Sequence, residues 1–404
     1  MLGTFIAVIA AIFFTLAPTG AQSLHDFQPI YWVLTLVGTL FLYIALSAKK
    51  AAWENLQRAG EESLPYAQEL FLKDWWLFLS LLVLFTFALF SYLLVFLEAI
   101  GLDGMKMHYL LLVWVVFTGL SFDVMQFGSR RMMHYSYYPF LLEKVVKQCL
   151  KAVAEAKEVE AFEWLDAVIE VISKATKNGS SHVASDALDK MLVIVEGYVG
   201  AASTSMRSDP FESSKTSLLD RVNYLAVYMC KRLEWLFQSA LRENMNPVAD
   251  EVIGVYGKMS LYFAKYHPTL AHLPLLFIQK CAKIALDADI GESSKEDAIV
   301  QISATVSELT KNYILLAKER GESFQEITFI ALSHLEEIAK ATFQKNKEMN
   351  PALLMQPFAE IGQLIGDERF LVFPARDEIL VELKRILSQF NALDLVKKKS
   401  ASLG

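Results

Sequence analysis

The sequence predicts an all-α protein in two parts, a multi-span transmembrane region at the N-terminus followed by a cytoplasmic helical domain. Three observations predict it. Of the 404 residues 54% are hydrophobic, and the long stretches without a charge are confined to the first third of the chain. A mean hydropathy of +0.33 is correspondingly high for a protein dissolved in water. Beyond Tyr138 the texture changes to mixed apolar and charged residues, with apolar positions recurring at intervals of three and four as on an amphipathic helix.

Residues 2–17, 30–48, 75–97 and 107–122 each lack Asp, Glu, Lys and Arg. Crossing a hydrocarbon core takes about 17 to 25 such residues at 1.5 Å rise each, so the middle two segments suffice outright and the outer two are short. The third is the strongest. Its sixteen Leu, Phe and Val residues favour insertion by about 5 to 10 kcal/mol. Residues 1–123 are therefore read as the transmembrane region, 124–137 as a juxtamembrane connector and 138–404 as the cytoplasmic domain.

Orientation follows from the cations. Lys49, Lys50, Arg58 and Lys73 occupy the connection between the second and third segments, and Arg130 and Arg131 follow the fourth. The other two connections hold only Lys106, which places both termini on the cytoplasmic side. The first segment has a competing reading, a signal peptide cut after Ala21, but no cation precedes it. Gly3, Ala7 and Ala11 form a small-residue stripe suited to close helix approach, in favour of a retained span and of homo-oligomers formed through the membrane helices. A bacterial inner membrane is the expected setting.

Trp75 and Trp76 open the third segment, and Arg130, Arg131, Tyr135, Tyr137 and Tyr138 follow the fourth. Guanidinium groups and amphipathic rings in such positions are candidates for the headgroup layer and for contact with anionic lipid. Residues 53–72 are expected to lie on the same surface as an amphipathic helix broken at Pro65. Ionisable groups at membrane depth, which coupled transporters use, are missing from all four segments save His108 at an edge.

In the remaining two thirds, Ile299, Ile302, Val306, Leu309, Tyr313 and Leu316 form one apolar stripe, and Leu218, Val222, Leu225, Met229, Leu233 and Leu236 another. Ser293 with Glu296 and Ser323 with Glu326 have capping-box spacing. Asn246-Pro247 and Asn350-Pro351 read as caps followed by a tolerated proline, and Gly179 and Gly321 as helix stops. The pattern Asp-x-x-apolar recurs at Asp166, Asp250, Asp297 and Asp377, spaced 84, 47 and 80 residues apart. Those intervals approach multiples of a paired-helix repeat, so the domain is either an irregular bundle or a HEAT-like α-solenoid.

Candidate chemistry is sparse. Net charge is −7, which gives no electrostatic footprint for nucleic acid. Cys149, Cys230 and Cys281 are isolated, in neither a disulfide nor a zinc pattern, and are read as small core residues. His267 and His272 are five apart, off the one-turn spacing of helical metal ligands. Gly200 to Ser205 lacks the Gly-Lys-Ser/Thr ending of a phosphate loop, and no Gly-x-Ser-x-Gly occurs. The expectation is no cofactor, no metal and no catalytic residue. The functional expectation is a membrane-anchored helical scaffold or adaptor with a cytoplasmic protein partner, the alternative being a channel or transporter subunit gated by its helical domain.

Overall fold

The computed structural model describes residue 4 and residues 28–62, 67–100, 104–135, 138–155, 157–208, 214–320, 323–346, 349–370, 373 and 375–401. Fourteen α-helices and no strand lie among them. Contacts divide the chain into two compact units, Met1–Lys144 and Val145–Gly404. The division falls inside a helix that the sequence assigns wholly to the second part.

The first unit contains α1 (Gln28–Glu62), α2 (Ala67–Leu72), α3 (Trp75–Ala99), α4 (Gly104–Tyr135) and the start of α5 (Tyr138–Ala154). Helices α1, α3 and α4 pack against one another pairwise. Their core is aromatic, with the Phe87 ring 5.8 Å from Phe41, 5.7 Å from Trp114 and 5.4 Å from Phe117. Gly38 lets α1 approach α3, since a Cβ there would stand 2.8 Å from Ser91 Oγ. That oxygen accepts from Trp114 Nε1 at 2.8 Å and donates to the Phe87 carbonyl at 2.9 Å.

Apolar side chains cover much of the outside of this unit as well as its core. Ser91 and Ser121 are fully buried, while Leu36, Tyr43, Phe78, Phe96 and Tyr109 are each more than half exposed. Exposed apolar area on this scale marks a surface for contact with a protein or a membrane. Three helical stretches of this unit, Thr35–Glu54, Trp75–Leu97 and Tyr109–Tyr135, are long and apolar enough to cross a membrane. A fourth such stretch, Pro268–Asp287, is mostly buried inside the second unit and serves there as a core helix.

Two boundaries differ from expectation. Helix α1 runs on past Ala48 to Glu62, because Lys49 and Lys50 end the apolar run without breaking the backbone pattern. Helix α4 likewise continues to Tyr135, through most of the expected connector. Its Gly128 is tucked against Ser80, and no proline interrupts it. Of the expected first span only Thr4 lies within the described residues. Its backbone amide and hydroxyl both donate to Asp123 Oδ2, at 2.9 and 2.5 Å.

The second unit continues with α6 (Glu158–Lys177), α7 (Ser181–Ser208), α8 (Ser214–Arg242), α9 (Asn246–Tyr266), α10 (His272–Asp287), α11 (Glu292–Arg320), α12 (Ser323–Lys345), α13 (Pro351–Gly366) and α14 (Arg376–Ala401). From α6 to α13 every helix packs on the next and on the next but one. Among the described residues each substantial helix contact in this unit follows that rule, apart from those of the single turn Pro268–Leu270, and none closes the series upon itself. The result is two rows, α6-α8-α10-α12 and α7-α9-α11-α13, which is the layout of stacked helix pairs and not of a closed bundle.

The caps agree in part with the sequence. Asn350 Oδ1 accepts from the Ala352 amide at 3.0 Å, and Gly179 adopts φ +71° just past α6. Asn246 is instead the first residue of α9 and no cap, and α11 begins at Glu292, one residue ahead of the expected capping serine.

Candidate functional site

Polar side chains gather around one carboxylate in the first unit and along a groove in the second. In the first unit the centre is Asp74. It ends the turn after α2, and as the residue before α3 it accepts from the Trp76 amide through Oδ1 at 3.1 Å. Its other oxygen, Oδ2, accepts from Arg131 Nε at 2.8 Å, Tyr135 Oη at 2.5 Å and Lys144 Nζ at 3.2 Å. Lys144 also donates to the Tyr135 hydroxyl and lies 4.2 Å from that ring's centroid. Burial alone raises the acid's pKa, yet hydrogen bonds from Arg131 and Tyr135 and the charge of Lys144 bring it down to about 2.

Local sequence explains the assembly. Arg131 and Tyr135 are four apart and share one face of α4. The Tyr135 ring is held edge-on by Phe71 at 5.3 Å and by Phe140 at 5.7 Å. Of the seven expected headgroup residues, Arg131 and Tyr135 thus turn inward to Asp74. Tyr135 is completely buried, and its position is fixed by protein contacts. Trp75 and Trp76 are 64% and 54% exposed and Arg130 is exposed, while Tyr138 is half-buried. The Tyr137 assignment lies outside the described residues.

In sequence Asp74 looks like no more than the end of a basic loop. The available signal is its position, since an Asp just before an apolar helical run is an N-cap by type. Nothing local shows that three side chains from residues 131 to 144 converge on it.

In the second unit a groove of about 510 Å³ runs across the row α9-α11-α13. Its lining includes the small residues Gly254, Gly257 and Ala304, with Pro357, and the amides of Gln301, Asn312 and Gln356. Ion pairs hold the rim: Lys258 lies 3.2 Å from Asp189 and 3.6 Å from Glu251, and Lys311 lies 2.6 Å from Glu360 and 3.8 Å from Glu308. The hydrogen bonds from Lys311 and then Gln356 hold the Glu360 carboxyl below its ordinary pKa. Among the residues that line the groove the two ammonium groups, Lys258 and Lys311, balance the two carboxylates, Glu308 and Glu360.

Gly254 stands apart from the other groove residues. A Cβ at this helical position would meet nothing within 4 Å, whereas one at Gly257 would lie 3.1 Å from Thr305 Cγ2. Close packing against α11 accounts for Gly257. No contact inside the fold requires Gly254, and a mid-helix glycine costs about 1 kcal/mol relative to alanine.

The isolated cysteines are core residues, as their surroundings imply. All three are buried and outside any disulfide, and burial pushes the Cys149 thiol up to about 12 and also raises Cys230 and Cys281. No group of three or more metal-ligating side chains occurs among the described residues. His267 and His334 are both shifted toward the neutral form by burial, and His334 Nδ1 meets Gln279 Oε1 at 2.9 Å.

No family model matches the sequence, and no curated protein matches it. Among solved structures the chain is similar to a "Circular tandem repeat protein with novel repeat topology and enhanced subunit contact surfaces", at 12% identity over 98% of either chain and a TM-score of 0.38. At that score the likeness carries no weight beside the helix contacts described above, which by themselves place the second unit among stacked-helix architectures.

Proposed function

We propose that the protein is a membrane-anchored helical scaffold whose groove across α9, α11 and α13 receives an extended segment of a cytoplasmic protein partner. The observation that carries this reading is Gly254, a helical position without a side chain in the lining of the groove, where the fold itself does not need the space. Exposed backbone and unoccupied volume let a second chain come close. The amides of Gln301, Asn312 and Gln356 can each donate and accept, which suits main-chain groups of an extended segment.

Anchoring rests on the first unit. Its leucine and phenylalanine exterior suits hydrocarbon. The cation asymmetry supports cytoplasmic termini. The Thr4 contact with Asp123 supports a retained first span, because cleavage after Ala21 would remove both donors from that carboxylate. A pore through a single chain fits less well, since Phe41, Phe87, Trp114 and Phe117 fill the space between α1, α3 and α4.

A photoreactive residue placed at Gly254 or Gln301 in the full-length protein, in its native membrane, tests the groove. The expected product is one discrete partner crosslinked from both positions, absent when the same residue is placed at exposed Lys231 on α8 in the opposite row. Equal labelling from all three positions would remove the groove from the proposal. Extraction at alkaline pH tests the anchor, with release into the aqueous phase as the contrary result.

A further inference from the structure

The first unit contains a second cavity, of about 180 Å³, between α1, α3 and α4 beneath the turn at Asp74. Its contents are graded. At one end stand Lys49, Asp74 and Ser129, and going away from them the walls become apolar through Ala45, Leu81 and Leu84. From Leu77 to Leu84 the wall runs two turns of α3, about 10 Å at helical rise.

Charge at the polar end is unbalanced. The one carboxylate, Asp74, is already shared by Arg131 and Lys144. Lys49 is half-buried, lines the cavity and makes no ion pair among the described residues. An ammonium partly removed from water without a counter-ion is unfavourable, and an anion beside it would relieve this. Lys49 also marks where the apolar run of α1 ends, at the level of Trp75 and Trp76 by sequence, so a polar headgroup and an apolar tail would both be matched along the cavity.

We propose that this cavity holds part of one acyl chain of an anionic phospholipid, with its phosphate against Lys49. The proposal rests on the membrane reading above. Gly128 and Ser80 keep the walls apart where larger side chains would close them, since a Cβ at residue 128 already stands 3.4 Å from Ser80 Cβ.

The test uses the full chain in mild detergent, offered equal amounts of phosphatidylglycerol and phosphatidylcholine with identical tails, with bound lipid counted by native mass spectrometry. One phosphatidylglycerol per chain is expected, preferred over phosphatidylcholine by about fivefold, the worth of one cation near a headgroup. Lys49→Gln should bring that ratio close to one, and excess glycerol phosphate without tails should displace nothing. Ala45→Phe should reduce retention of either lipid, and an unchanged melting transition for Lys49→Gln serves as the folding control. Equal retention of the two lipids by the unaltered protein, or an undiminished preference in Lys49→Gln, overturns the proposal. That failure in a protein that still requires detergent leaves the membrane reading standing, so the two can be told apart.

Discussion

The Tyr135 hydroxyl donates to the Asp74 carboxylate at 2.5 Å, joining the end of α4 to the start of α3 across 61 residues of sequence. Arg131 and Lys144 bind the same oxygen, so a single carboxylate organises three donors. Removing the charge at Asp74 leaves two cations competing for water they only partly reach. Asp74→Asn is expected to destabilise the first unit by about 3 kcal/mol, the scale for breaking a buried ion pair from one side. Thermal unfolding in detergent would show it, and a melting temperature unchanged by the substitution would mean that the cluster is not structural.

The same carboxylate gives a pH dependence of known sign. Its pKa lies below the ordinary 3.8, at about 2. A depressed acid contributes stability that is fully present above 3.8 and is lost as pH falls toward 2. The gap in melting temperature between the unaltered protein and Asp74→Asn should therefore be constant above pH 5 and narrow between pH 4 and pH 2. A gap that widened on acidification would contradict the cluster's geometry.

Gly254 and Gly257 make a contrasting pair one turn apart. Gly254→Ala should stabilise the second unit by up to about 1 kcal/mol, because a helix gains and nothing is displaced. Gly257→Ala should gain less or lose, because its methyl group would press on Thr305 Cγ2 at 3.1 Å. Chemical denaturation of the two variants in the full chain reads the difference directly. A bulkier Gly254→Leu should preserve folding while abolishing the groove-specific crosslink, which separates stability from binding.

Between α1 and α3 the tolerance is the opposite. Gly38→Leu would drive its side chain into Ser91, whose hydroxyl is fixed by Trp114 and the Phe87 carbonyl. A loss of about 1 to 3 kcal/mol is expected from overpacking. Pairing it with Ser91→Ala should recover only part, since Ser91 Cβ itself lies 3.0 Å from the position of the new Cβ. Full recovery in the double variant would mean that the helices separate more easily than the packing implies.

Much of this fold was legible in the sequence because its signals are local. The three-and-four apolar period located the helices, the run from Trp75 to Leu97 needed no tertiary context, and Asn350 before Pro351 capped as its chemistry requires. What escaped was long-range. Repeating aspartates suggested stacked pairs but could not separate a stack from a bundle, since any helix start attracts an acidic residue. Pro268 to Asp287 has the length and apolarity of a span, and only its burial by α8, α9, α11 and α12 shows what it covers. Arg131 and Tyr135 have the composition of headgroup residues, yet a carboxylate more than fifty positions earlier claims them. The groove was invisible because Gly254 looks in sequence like any other helical glycine.

The two-row stacking of α6 to α13 bears on how this half of the molecule comes apart. With every interface joining near neighbours in sequence, loss of α13 or α14 exposes only the row ends beside them and leaves the earlier pairs their own partners. Unfolding can thus begin at one extremity and proceed helix by helix, so a truncated product would keep its upstream pairs intact and the length of the array could change by whole hairpins without rebuilding a common centre.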